Sequence, residues 1–227
     1  NGKTDAISGN FRFEWKIDSL TTIMYRPSVN FSKGNSNSGS FSETLNNELI
    51  PINQKEATNR QTNDRFSTNG SLQFNRKLNS KGRNIALRLY YNLDNGNSDR
   101  YSLANTYYLK YGDSIKVQNQ WIDNLNRNHE YRVQLTYMEP VFTNHFIEIN
   151  YSYQHRSSLS EKYAYDWNDL EDSYSQYPDT AQSDCYKNKY SIHQVGAFFR
   201  TIRTNYFYNI GIEIEPQQTT NQSYMRD

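Results

Sequence analysis

The chain has 227 residues, a formal net charge of +1, 35% hydrophobic and 15% aromatic residues, and one cysteine, Cys185. A single cysteine excludes an intrachain disulfide framework and a cysteine-based zinc site, and the balanced charge offers no bulk field for nucleic acid. No apolar run reaches the ~18–20 residues of a membrane-spanning helix, which excludes a helical membrane protein but not a β-barrel, and the aromatic content argues against disorder despite a mean hydropathy of −1.00.

Alternation with period two dominates the chain. The first predicted strand, 10–17, sets Phe11, Phe13, Trp15 and Ile17 against Arg12, Glu14 and Lys16. A short turn around Ser19 leads to 21–31, where Ile23, Tyr25, Pro27, Val29 and Phe31 alternate with Met24, Arg26 and Asn30. The polar stretch 33–66 reads as a long loop before a weaker strand, 69–78, with Leu72, Phe74 and Leu78. After the turn 79–82, the strand 84–94 opposes Ile85, Leu87, Leu89, Tyr91 and Leu93 to Arg88, Tyr90, Asn92 and Asp94.

A second long polar stretch, 95–128, precedes 130–138, where Tyr131, Val133, Leu135 and Tyr137 oppose Glu130, Arg132 and Gln134. The turn 141–144 leads to 146–154, with Ile147, Ile149, Tyr151 and Tyr153 against Glu148, Asn150 and Gln154. A third polar stretch, 156–188, follows. In 188–200, Tyr190 and Ile192 fall out of phase with Val195, Ala197 and Phe199, which predicts a bulge. Beyond the turn 201–204, the strand 206–215 places Tyr208, Ile210, Ile212 and Ile214 opposite Phe207, Asn209 and Glu213, and 216–227 reads as a fourth long loop.

Short turns recur about every 60 residues, with long polar stretches between them; this is the layout of an outer-membrane barrel. The expected fold is all-β: an antiparallel up-and-down transmembrane β-barrel, or a curved open section of one, in a single segment 1–227 with about eight strands. Strands of this length cross a bilayer when tilted, and one face is apolar while the other is too charged for a soluble core. A soluble antiparallel sheet with one solvated face would give the same alternation. Closing at eight strands would crowd seven charged side chains into a narrow lumen. The expectation is therefore an open wall whose first and last strands do not pair.

Three segments resemble a known family. Phe11–Leu20 running to Pro27, Phe74–Arg83 with its Lys-Gly-Arg corner, and Tyr137–Pro140 followed by Asn144–Tyr151 are similar to strand–turn–strand signatures of an outer-membrane β-barrel family related to TonB-dependent receptors. That family is common in glycan- and peptide-scavenging Gram-negative bacteria. The resemblance implies an outer-membrane location, contact with lipid, and nutrient binding and uptake. It also implies an N-terminal plug and TonB as partners through a part of the protein not present in this sequence, so the chain reads as a central barrel fragment. The runner-up is a soluble secreted or surface β-sheet module that binds carbohydrate.

Candidate site residues follow from the two faces. Arg12, Glu14, Arg26, Arg88, Arg132, Glu148 and Glu213 are expected to face the lumen, for contact with a plug or a small hydrophilic solute, or simply as paired charges on a wet wall. Tyr107, Tyr111, Trp121, Tyr165 and Trp167 are the loop candidates for ligand contact, since exposed rings stack on sugars or peptide side chains; equally, these aromatics read as strand residues, because outer-membrane strands extend beyond the bilayer. The acidic group Asp166, Asn168, Asp169, Glu171 and Asp172 lacks the pattern of a calcium loop. His129, His145, His155 and His193 show no metal-ligand spacing and stand near no nucleophile motif. No enzymatic activity, cofactor or metal is expected, and no nucleic-acid partner.

Overall fold

A computed structural model describes residues 1–109 and 114–224. Its strands, in chain order, are β1 (Gly2–Asn10), β2 (Phe13–Lys16), β3 (Thr21–Leu45), β4 (Pro51–Lys77), β5 (Asn84–Tyr108), β6 (Ser114–Phe142), β7 (His145–Asn168), β8 (Ser173–Tyr174), β9 (Asp184–Ile202), β10 (Phe207–Ile214) and β11 (Gln217–Ser223). All pairs are antiparallel, and the long strands pair only with their neighbours in the chain. β1 and β2 are two halves of one outer strand along β3, and β10 and β11 are two halves of the other along β9. The sheet is therefore eight strands wide, and its two outer strands do not pair with each other. Among the described residues it does not close into a barrel.

The four short turns fall where the sequence places them, at 17–20, 78–83, 143–144 and 203–206. Their chemistry is local. Asp18 accepts from the Leu20 amide at 2.7 Å, and Asn79 accepts from the amides of Lys81 and Arg83 at 3.0 and 2.9 Å. Asn144 takes a left-handed φ of 65° and Gly82 one of 106°, conformations that asparagine and glycine tolerate best.

Three expectations are corrected. The long polar stretches are mostly strand: β3 and β4 run on until only 46–50 separates them, and β6 and β7 pair out to Gln120 and Asp166. Strand pairing needs only backbone partners, and polar side chains on both faces add cross-strand bonds, such as Ser158 to Asn128 at 2.6 Å and Ser160 to Asn126 at 2.9 Å. The phase slip in 188–200 needs no bulge, because β9 pairs with β7 in one unbroken register and simply turns Tyr190 and Ile192 to the polar face opposite Arg156 and Gln154. The tail beyond residue 216 is also strand: β11 keeps the register of β10 on β9.

Each outer strand is interrupted at a proline. The Phe11 amide donates to Pro27 O at 3.1 Å, but Pro27 has no N–H to return a bond, and the outer strand breaks between β1 and β2. Register survives the break, with Asn10 opposite Ser28 and Phe13 opposite Tyr25. On the other edge Pro216 O accepts from the His193 amide at 3.0 Å, and the strand is again broken without a slip.

The two faces differ sharply over half of each strand. One cross-strand row on the first face reads Trp15, Ile23, Phe74, Leu87, Leu135, Tyr151, Val195, Ile214. The adjacent row on the second face reads Glu14, Met24, Gln73, Arg88, Gln134, Ser152, Gln194. The apolar stretch covers residues 23–31 of β3, 66–74 of β4, 85–93 of β5, 131–137 of β6, 147–153 of β7 and 208–214 of β10. It crosses the strands obliquely: the row that holds Phe31 and Phe66 holds Arg127 in β6 and Lys187 in β9. The slide is about one residue, or ~3.4 Å, for each ~4.8 Å step to the next strand, so the strands lean by about 35° to a band about 20 Å tall. Among the described residues nothing covers this band. Trp15 is 64% exposed, Ile149 49% and Ile212 75%. The buried apolar side chains are Ala104, Ile122, Ala164 and Cys185, all outside it.

Candidate functional site

The seven lumen candidates all lie on the second, polar face. Arg26 and Arg132 share one cross-strand row with Ser71, Tyr90 and Gln154, Arg12 lies in the break between β1 and β2, and Glu14 and Arg88 share the next row. Arg12 and Glu14 pair at 3.0 Å, both well exposed. Arg132 donates to Gln154, which donates to Glu130 at 2.9 Å. Glu213 accepts from Gln194 at 2.7 Å, and Gln194 in turn accepts from Ser152 at 2.9 Å. Arg26 and Arg88 are exposed and take part in none of the ion pairs among the described residues.

Glu148 differs from the rest. It is buried, pairs with Arg200 at 2.6 Å and accepts from Asn150 at 2.9 Å. Sequence reasoning missed Arg200; its signal was parity, since it shares the polar face with Gln194 and Gly196 in the register of β9 on β7. This face thus mixes satisfied polar networks with guanidinium groups that have no ion-pair partner among the described residues.

The aromatic candidates are on strands, not in loops. Tyr107 is in β5, Trp121 in β6, and Tyr165 and Trp167 in β7; Tyr111 lies outside the described residues. Their strands run on past the apolar band, which carries Trp121, Tyr165 and Trp167 to one place on the first face. Trp121 stacks on Tyr165 with centroids 4.7 Å apart and on Tyr101 at 6.5 Å. Tyr174, brought back by the β7–β8 hairpin, packs edge-on to Trp167 at 5.0 Å and against Tyr101 at 5.8 Å. Tyr107 pairs opposite Ile115 and Gln54, six residues further along β5 from Tyr101, and stays outside the stack.

Polar bonds fix the rings. Trp121 Nε1 donates to Asp99 at 3.0 Å, and the Tyr174 hydroxyl donates to Asn119 at 3.1 Å. On the opposite face the segment 175–183 closes over the same strands: Gln120 donates to Asp166 at 2.7 Å and to Gln182 at 2.8 Å, and Gln182 donates to Asp179 at 2.7 Å. Those bonds and the Ala181 amide hold the Asp179 carboxyl below its usual range. Burial, with Asp99 and Glu161 nearby, raises that of Asp123. The hydrogen bond to Cys185, with burial, pushes Tyr163 up to about 12. The glutamine lattice was legible only as the alternation of Gln118 and Gln120.

A groove of about 530 Å³ lies at the upper limit of the apolar band, lined by Ile7, Phe31 and Phe66 with Lys33 and Asn95 beside them. Phe31 and Phe66 meet there at 4.7 Å. No three histidine, cysteine or carboxylate side chains among the described residues converge as metal ligands would. The site offers hydrogen-bonding and stacking groups for binding. No family model and no curated protein sequence matches this chain.

Proposed function

We propose that the chain is a section of the wall of an outer-membrane β-barrel, of the TonB-dependent receptor-like kind that its turns resemble. Its role is binding and uptake of a nutrient such as a glycan, a peptide or a chelate. The observation that carries this reading is the uncovered apolar band, about 20 Å tall and crossed by strands leaning about 35°, close to the dimensions of transmembrane barrels. A soluble protein rarely leaves so large an apolar surface open, whereas lipid covers it directly. Tyr153, packed on His193 at 4.8 Å, lies at one border of the band. Tyr206 and Tyr208, stacked at 6.3 Å, lie at the other. Aromatic girdles occupy these positions at membrane interfaces.

The polar face then lines a wet lumen, where Arg26, Arg88 and Arg132 are available to a hydrophilic solute. In lipid the free edges of the outer strands need strand partners, so the section works as part of a wider barrel. The half-exposed aromatic stack favours the second reading, a soluble or surface β-sheet module that binds carbohydrate, but that reading leaves the apolar band without an occupant.

Site-directed spin labelling tests the proposal. With the section carried within its complete barrel in phospholipid vesicles, labels at Ile149 and Ile212 should collide with oxygen more than with a water-soluble nickel reagent, and labels at Gln134 and Asn209 the reverse. Water access at Ile149 and Ile212 equal to that at Gln134 would refute it.

A further inference from the structure

Directly beyond the apolar band, on the lipid-parity face, β6 and β9 carry a compact basic patch. Arg127 and Lys187 lie in one cross-strand row on either side of Leu159, and His129 and Lys189 lie in the next on either side of Ser157. The two strands are about 10 Å apart across β7, and successive residues on one face are about 7 Å apart along each strand. Arg127, His129 and Lys189 are exposed and Lys187 is half-buried. None of the six ion pairs among the described residues involves them. The nearest carboxylate in register, Glu161, sits one step farther from the band, opposite Cys185. Beside Lys187 opens a groove of about 370 Å³ that Leu159, Glu161, Tyr163, Cys185 and Tyr224 also line. Farther along the same face lies the stack of Trp121 and Tyr165.

From the band outward the face therefore offers apolar side chains, then unpaired cations, then a groove and aromatic planes. That order complements a lipid whose acyl chains end in a phosphorylated sugar. We infer that Arg127, His129, Lys187 and Lys189 form a binding site for the phosphate group of a glycolipid headgroup on the outer surface of the wall. The inference rests on the membrane reading above, because only there does the band hold the headgroup at the height of the patch. Basic side chains at a membrane surface each strengthen the hold on anionic lipid, and guanidinium and ammonium groups bind phosphate through charge-assisted hydrogen bonds.

The section carried within its complete barrel, in phosphatidylcholine vesicles doped with bisphosphorylated lipid A or with its dephosphorylated form, provides the test, read as lipid retained on the protein after mild detergent extraction. The phosphorylated form should be retained and the other lost. Arg127→Gln, Lys187→Gln and Lys189→Gln together should weaken retention roughly a hundredfold, while Lys187→Arg with Lys189→Arg should preserve it. A spin label at Ile149 in the same vesicles reports whether each variant remains embedded. Equal retention by the wild type and the embedded triple variant would overturn the headgroup site alone. So would complete displacement of lipid A by millimolar inorganic phosphate, which would mark a site for free phosphate. A label at Ile149 in water would overturn the membrane reading and this site with it.

Discussion

Glu148 and Arg200 meet at 2.6 Å across β7 and β9, the least exposed of the ion pairs on the sheet. Phe198 stands directly opposite Glu148 and Asn150 donates to it, so the carboxylate has little access to other cations. Arg200→Met should lower unfolding free energy by about 2–3 kcal/mol, since it strands a buried charge. Glu148→Gln added to it should restore most of the loss. Urea unfolding of both variants in detergent checks this, and a double variant no more stable than Arg200→Met would contradict it.

Charge placed in the middle of the apolar band should be expensive. Ile149→Arg or Ile212→Arg is expected to destabilise the chain in vesicles by about 2–4 kcal/mol. Gln134→Glu, on the opposite face and across from Arg88, should change stability by less than about 1 kcal/mol. Folding titrations in vesicles that gave equal losses on the two faces would count against the lipid assignment.

The stack on the extended half of the sheet should behave as a coupled unit. Trp121 contacts Tyr165 and Tyr101 and bonds Asp99. A double-mutant cycle on Trp121→Ala and Tyr165→Ala should return a coupling of about 0.5–1.5 kcal/mol. Additive losses would mean that the two rings stand independently.

Asp123 should impose a pH slope. Burial first, then Asp99 and Glu161, raise its folded value above the ordinary aspartate value. The folded state then holds a proton that the unfolded state has released. Stability from this group is present below the unfolded value and falls as pH rises through the folded one. Asp123→Asn should flatten that slope and stabilise the chain at neutral pH. Melting curves from pH 3 upward would expose an unchanged slope if the assignment is wrong.

Two glycines should respond in opposite ways to alanine. A Cβ on Gly70 would lie 2.7–2.9 Å from the ring and hydroxyl of Tyr91, which covers that glycine and touches Tyr25. A Cβ on Gly96 would meet nothing closer than 4.0 Å. Gly70→Ala should destabilise by about 1–3 kcal/mol, and Gly96→Ala should be neutral or stabilising by up to about 1 kcal/mol. Comparable melting temperatures for the two variants would argue against the Tyr91 packing.

Much of this was legible because one property repeats. Wherever large apolar residues alternate, as in Ile85–Leu93 or Ile147–Tyr153, both the strand and its face are readable, and the turns announce themselves through Asp18, Asn79 and Asn144. The extended halves were not legible as strands, because Ser, Asn and Thr on both faces leave no contrast between parities, and the same composition suits a loop. The aromatic stack was half visible. The residue types stood out, but convergence of Trp121, Tyr165 and Tyr174 depends on the register of β6 on β7 and on the β8 hairpin. Arg200 was hidden because its partner lies diagonally across a strand pair 52 residues away in the chain.

Because each long strand bonds only to the strands before and after it, the sheet grows without waiting for a distant partner. The chain must close only short turns, or connections as brief as 46–50, to add the next hairpin, and the entropy of closing a loop rises slowly with its length. Such a ladder has low contact order for a β-protein of its width, so assembly can proceed from any hairpin outward in both directions. At every stage the growing edge is a strand already in register, waiting for the next segment of the same chain to cover it.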